Sequence, residues 1–173
     1  QDVHLAKFKG EITHYDQVLD SHVKLTGETF VFLNSLASQI KVLKKQNIKN
    51  GVYHGQHQLE LKKKRLIASS EFSITNFQSK ILHAKKITGK IDFKNNRLHL
   101  SHFDIVHDEE ILSLLKPTEL YDLQQKKILF KDSRFQLKNF SLSRGLYFLG
   151  DNFQILQGSL TGELSINLNE DKI

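Results

Sequence analysis

The sequence predicts an all-β chain assembled from repeated β-hairpins, and three observations carry that reading. Apolar residues recur two apart in short runs, which places them on one face of a strand. Around the middle of the chain they are Ile87, Ile91 and Phe93, then Leu98 and Leu100, then Phe103 and Ile105. Between the first two runs lie Lys94, Asn95, Asn96 and Arg97, and asparagine tolerates the positive φ that a tight hairpin turn requires. The unit then returns along the chain. Residues 60–74 (ELKKKRLIASSEFSI), 92–105 (DFKNNRLHLSHFDI) and 122–137 (DLQQKKILFKDSRFQL) share a leading acid, a polar stretch, an apolar pair and a Phe two places before Ile or Leu.

Taken in order, residues 3–32 are β-rich, with Leu5, Ile12, Val18, Val23, Leu25, Phe30 and Phe32 as apolar positions and Thr26-Gly27-Glu28 as a turn. A looser copy of the unit, DQVLDSHVKLTGETFVF, covers residues 16–32. Residues 34–46 carry helical spacing at Leu36, Ile40 and Leu43, with Asn34 or Ser35 able to cap. The match of Ala37-Ser-Gln-Ile40 to Ala84-Lys-Lys-Ile87 favours an extended segment there instead. Asn50-Gly51 marks a turn. Successive strands follow from Val52 to Val106. Residues 107–116 (HDEEILSLLK) interrupt the alternation, and their early acids and late lysine suit a short helix or an irregular insertion before Pro117. Strands resume from Leu120 to Leu168, punctuated by Gly145, Gly150, Gly158 and Gly162, with a frayed tail from Asn169. No shift in composition divides the chain, so residues 1–173 are read as a single domain.

Composition narrows the function classes. Hydrophobic residues make up 39%, below the usual share of about 45–50%, which suits a thin, elongated β-structure better than a large closed core. The absence of cysteine excludes disulfides, thiolate metal sites and thiol nucleophiles. A net charge of +6 favours anionic partners: phosphorylated lipid, a membrane surface or nucleic acid. The one basic cluster, Lys62, Lys63, Lys64 and Arg65, occupies a turn of the repeat, where solubility is its ordinary role. His54/His57 and His99/His102 have the spacing of a helical metal pair, but on a regular strand residues three apart face opposite ways. No metal site or cofactor is expected, and His107 with its acidic neighbours lacks a supporting geometry. The chain has no phosphate loop and no nucleophile elbow. Its acids sit at repeat turns, where carboxylates cap hairpins, and its Phe residues alternate as inward positions. Enzyme activity and nucleic-acid binding are therefore not expected. Asn139-Phe-Ser141 fits a glycosylation sequon.

Residues 81–105 (ILHAKKITGKIDFKNNRLHLSHFDI) resemble the repeat of the OstA-like family, the periplasmic lipopolysaccharide-transport proteins of the LptA and LptC type. Residues 19–32 (LDSHVKLTGETFVF) and 146–155 (LYFLGDNFQI) are similar to its second half, with Gly27 and Gly150 in the family's places. His102 stands where the unit usually has Gly, and residues 107–116 are atypical. The resemblance implies a twisted, open, V-shaped β-jellyroll whose inner faces enclose a hydrophobic groove. It further implies non-enzymatic passage of lipopolysaccharide, or a related amphiphile, between inner and outer membrane. Partner jellyrolls or further copies would add at the edge strands. The expected groove residues are Phe72, Ile74, Phe103, Ile105, Phe135, Leu137, Phe153 and Ile155, and Lys62, Lys63, Lys64 and Arg65 are expected at the lipid headgroup. A start at Gln1 fits a mature or trimmed form whose signal or inner-membrane anchor lies outside this chain. Two rival readings are a structural or adhesive β-solenoid without ligand and a stand-alone carrier of a small ligand.

Overall fold

A computed structural model describes residues 5–13, 22–39, 47–62, 65–80, 82–130, 132–141 and 158–166. These residues form strands β1 (Leu5–Thr13), β2 (His22–Phe32), β3 (Asn50–Lys62), β4 (Arg65–Gln78), β5 (His83–Lys94) and β6 (Arg97–His107). They continue as β7 (Glu110–Leu114), β8 (Thr118–Asp122), β9 (Lys127–Ile128), β10 (Ser133–Ser141) and β11 (Ser159–Ile166). One helix, α1 (Leu33–Gln39), is present among the described residues. Every strand pairing is antiparallel, and the strands belong to one open sheet in the order β1-β2-β3-β4-β5-β6-β7-β10-β11. This is the all-β architecture of repeated hairpins, consistent with an open β-jellyroll.

The repeat unit takes physical form as hairpins β3–β4, β5–β6 and β8–β9, with its acids Glu60, Asp92 and Asp122 just before each turn. Asn95 and Asn96 both have positive φ, 53° and 60°, the two-residue turn whose twist matches that of the flanking strands. Asp122 caps its own turn: its Oδ1 accepts the backbone N–H groups of Gln124 and Gln125, each at 2.9 Å.

The sheet forks at β6. Its first half, Arg97–Leu100, pairs with β8, and its second half, Asp104–His107, pairs with β7. The two branches are pinned together by a buried hydroxyl pair, Thr118 Oγ1 and Ser133 Oγ at 2.7 Å, and Ser133 is fully buried. The tightest packing gathers near this fork. Leu100, Phe135, Leu137 and Ile87 are buried there, and Leu33, Ala37 and Ala84 are the other buried apolar side chains among the described residues.

Four sequence expectations are corrected. Residues 33–39 are helical, so Ala37 does not repeat the extended Ala84; both alanines are buried, but in different backbones. Leu33 and Ala37, one helical turn apart, bury together, and an added Cβ on Gly51 would meet Leu33 at 3.0 Å and Phe77 at 3.3 Å. Thr26-Gly27-Glu28 lies within β2, because Val23, Leu25, Gly27 and Thr29 keep one unbroken alternation paired on both sides. Asn50-Gly51 is an irregularity at the start of β3 rather than a turn, with Gly51 at φ 147° and its N–H donating to Asn50 Oδ1. Residues 107–116 form neither helix nor insertion. Asp108, at φ 53°, helps turn the chain, and Ile111, Leu112 and Leu114 enter strand β7 against β6 and β10.

The phase of β6 depends on one extra residue. Lys90 pairs with His102 and Ile91 with Leu100, so Ser101 is a β-bulge. Leu98 and Leu100 therefore share a face with Phe103 and Ile105 although the step from Leu100 to Phe103 is three positions, which on a regular strand would oppose them. Deleting Ser101 is expected to send Phe103 and Ile105 to the opposite face, with loss of a cooperative urea transition. Ser101→Ala keeps the bulge and forfeits the hydroxyl's hydrogen bond to Asp92 at a half-buried site, a change of about 1–2 kcal/mol.

Candidate functional site

Cross-strand register assigns each side chain to one of two faces. On one face, Tyr53, Ile74, Ile87, Ile105, Leu112 and Leu137 follow one another strand by strand. The adjacent row begins Gly55, Phe72, Gly89 and Phe103, and continues on the far branch through Leu114, Phe135 and Leu164. Six expected groove residues are thus brought onto one face in two neighbouring rows. Phe135 and Leu137 are buried near the fork, while Phe72, Ile74, Phe103 and Ile105 are only half-buried. Phe153 and Ile155 lie outside the described residues.

Glycines shape this face. The Phe72 ring lies over Gly89, where a Cβ would overlap it, and stacks on Tyr53 with centroids 6.1 Å apart and an angle of 18°. The ring is laid flat along the sheet instead of standing away from it.

Toward the hairpin turns, the same face opens into an apolar cavity of ≈ 330 Å³ lined by Leu25, Leu59, Ala68, Ile91, Phe93 and Leu98. The sequence reading had singled out the second half of each repeat and so missed these positions. Their signal was present in the alternation of Ile91, Phe93 and Leu98 and in the Leu59–Ala68–Phe93 cross-strand row. At one end of this cavity stands a polar group that no repeat or motif announced. His57 Nδ1 lies 2.9 Å from Ser70 Oγ on β4, and its Nε2 lies 3.1 Å from Thr29 Oγ1 on β2.

Around Glu71 and Lys90 the opposite face is polar and charged, while the same face carries Phe30, Phe32 and Val52 at one end and Val106 and Ile111 beside the fork. A cavity of ≈ 600 Å³ on that side is bordered by Lys7, Glu28, Gln56, Glu71 and Lys90. Lys90 Nζ donates to Glu71 at 2.8 Å, and that hydrogen bond and charge raise the lysine pKa. Arg97 reaches Glu119 at 3.0 Å and Asp122 at 3.3 Å. Although larger than the apolar cavity, this one suits water and ions rather than an acyl chain, because its charged rim would have to be desolvated.

The bulge at Ser101 also corrects the argument about His99 and His102. The two face the same way, His99 opposite Asp92 and His102 opposite Lys90; His102 Nε2 lies 3.2 Å from Asp104 and 3.3 Å from Thr88 Oγ1. His54 and His57 lie on opposite faces, as alternation requires. Among the described residues no three His, Cys, Asp or Glu side chains are grouped to hold a metal ion. In the basic cluster, Arg65 is exposed at the start of β4, and its backbone pairs with Lys62 at the end of β3. Lys63 and Lys64 lie outside the described residues.

The chain matches no family model, no curated protein and no solved structure.

Two carboxylates tie stability to acid. Burial pushes Asp92 up, but hydrogen bonds from Ser101 and Ser69 and the charges of Lys90 and His99 outweigh it and hold its pKa below 3.8. The Gln125 N–H holds Asp122 low; burial opposes it, and the Gln124 N–H and Arg97 add to it. Folded carboxylates that bind protons less readily than unfolded ones stabilise the fold fully above the unfolded value, and that contribution is lost as pH falls through the folded value. The urea midpoint should therefore fall as pH drops below the ordinary 3.8, and Asp122→Asn should lower it at neutral pH while flattening the acid limb.

Gly89→Ala should cost about 1–3 kcal/mol by displacing the Phe72 ring. In the Phe72→Leu background the same substitution should cost less, and a double-mutant cycle of denaturation midpoints measures the difference.

Proposed function

We propose that this chain is a non-enzymatic periplasmic lipid-binding protein that passes lipopolysaccharide, or a related amphiphile, along the apolar face of its sheet between inner and outer membrane. The observation that carries the proposal is the double row of Phe72, Ile74, Phe103, Ile105, Phe135 and Leu137 on a single sheet, four of them half-buried. A solenoid without ligand is expected to close its inner face into a solid core, and a face left half open is the reason to prefer a carrier. A fully buried methylene gains about 0.8 kcal/mol on leaving water, and a face that covers one side of an acyl chain gains a part of that for each methylene.

Acyl chains would lie along the two rows and in the adjoining cavity. In this reading Arg65, with Lys62, Lys63 and Lys64, meets the anionic headgroup at the hairpin turn. Among the described residues β1 and β11 are the ends of the main strand path, and Leu160 and Leu164 on β11 are 46% and 40% exposed. An unpaired edge with apolar side chains favours strand addition by another jellyroll or a second copy, which would extend the same face from one molecule to the next.

Native mass spectrometry with lipid A tests the reading. The unmodified protein should carry lipid adducts, and Phe103→Asp, checked for folding by circular dichroism, should lose most of them by placing a charge in the apolar row. A folded protein that forms no adducts, under conditions where an established lipid carrier does, would sink the proposal.

A further inference from the structure

We propose that Thr29, His57 and Ser70 form a polar subsite that takes the carbonyl oxygen of an acyl group whose chain lies in the adjoining apolar cavity. The inference rests on reading the apolar face as a lipid-binding surface and adds the place where the polar end of the chain is held. His57 and Ser70 border the ≈ 330 Å³ cavity whose other walls are Leu25, Leu59, Ala68, Ile91, Phe93 and Leu98. They are the polar side chains that the register directs into it, since Thr26, Gln58 and Ser69 alternate to the opposite face. Gly27, between Leu25 and Thr29, adds no side chain over the site. An amphiphile with one hydrogen-bonding group next to a hydrocarbon tail matches that combination.

The hydrogen bonds leave one donor to offer. In a neutral imidazole one nitrogen donates and the other accepts. One of the two hydroxyls therefore accepts from His57 and keeps its own O–H free, while the other hydroxyl donates to the ring. With the proton on Nδ1, His57 donates to Ser70 Oγ, Thr29 donates to Nε2, and the Ser70 O–H is released toward the cavity. An acyl carbonyl accepts that O–H and selects this tautomer. A hydrocarbon without a carbonyl does neither. Esters, amides and free carboxylates share the required oxygen, and the probes below separate them.

The test is displacement of the apolar fluorophore N-phenyl-1-naphthylamine from the intact chain by tridecane, methyl dodecanoate and sodium dodecanoate. Methyl dodecanoate is expected to displace the dye at a concentration about threefold to tenfold lower than tridecane, the size of one net hydrogen bond. That preference should vanish in Ser70→Ala and shrink in Thr29→Val, with dye binding retained in both. Nitrogen NMR should place the His57 proton on Nδ1 when the ester is bound. A dodecanoate preference above the ester, lost in the same variants, assigns the subsite to free fatty acids; ester preference assigns it to linked acyl groups. Dye binding with the same ester-to-tridecane ratio in wild type and both variants overturns the subsite and leaves the carrier reading standing. Failure of the wild-type protein to bind dye or any acyl probe overturns both.

Discussion

Ser101 is the residue on which the phase of the sheet turns. Side chains alternate strictly along a strand, so Leu98 and Leu100 would oppose Phe103 and Ile105 if β6 ran regularly. The extra residue, opposite the step from Lys90 to Ile91, returns both pairs to the same face. Ser101 then spends its hydroxyl on Asp92, which also accepts from Ser69 on β4. Three strands are thereby tied at the point where the alternation changes phase. The apolar rows that cross from β3 to the fork depend on that correction, because a one-residue slip in β6 would break them in the middle.

Much of this was legible in the sequence. Alternation gave the strands from Val52 to Val106, Asn95-Asn96 gave the turn with two left-handed residues, and the recurring Phe-x-Ile/Leu ends gave positions that share one face. Less legible was whatever needed a partner distant in the chain. Residues 34–46 carried helical and extended signals together, and the helix that forms buries Leu33, a position just before the spacing pattern, near Gly51 and Phe77. Residues 107–116 looked foreign because their strand is short; its pairing with β10 joins segments far apart in sequence. His57 is the clearest case. Its partners lie 28 residues before and 13 after it, so no local spacing could reveal that both ring nitrogens would be satisfied.

The fork at β6 lets one sheet serve two purposes. On its β8 side Arg97 gathers Glu119 and Asp122 on the polar face, and the branch ends in the short hairpin with β9. On its β7 side the apolar rows continue into β10, where Phe135 and Leu137 are buried. The buried hydroxyl pair of Thr118 and Ser133 joins the two branches. A buried hydroxyl left without its partner costs roughly 1–3 kcal/mol, so the pair acts as a positional lock as well as a contact. Rigid packing is concentrated here, and the half-open apolar surface extends away from it toward β2.

That division bears on how a carrier of this shape would release its cargo. A closed cavity surrounds an acyl chain and gains the full transfer free energy for each methylene, which holds the chain tightly. A chain lying on the half-buried surface of Phe72, Ile74, Phe103 and Ile105 is covered on one side, and its gain per methylene is correspondingly smaller. Movement along the face then exchanges one patch of similar apolar surface for the next, with no step that returns the whole chain to water. A single hydrogen bond at Ser70, with its modest net strength, would fix the position of the polar end without preventing departure. Shallow apolar contact together with one adjustable donor favours transfer over storage.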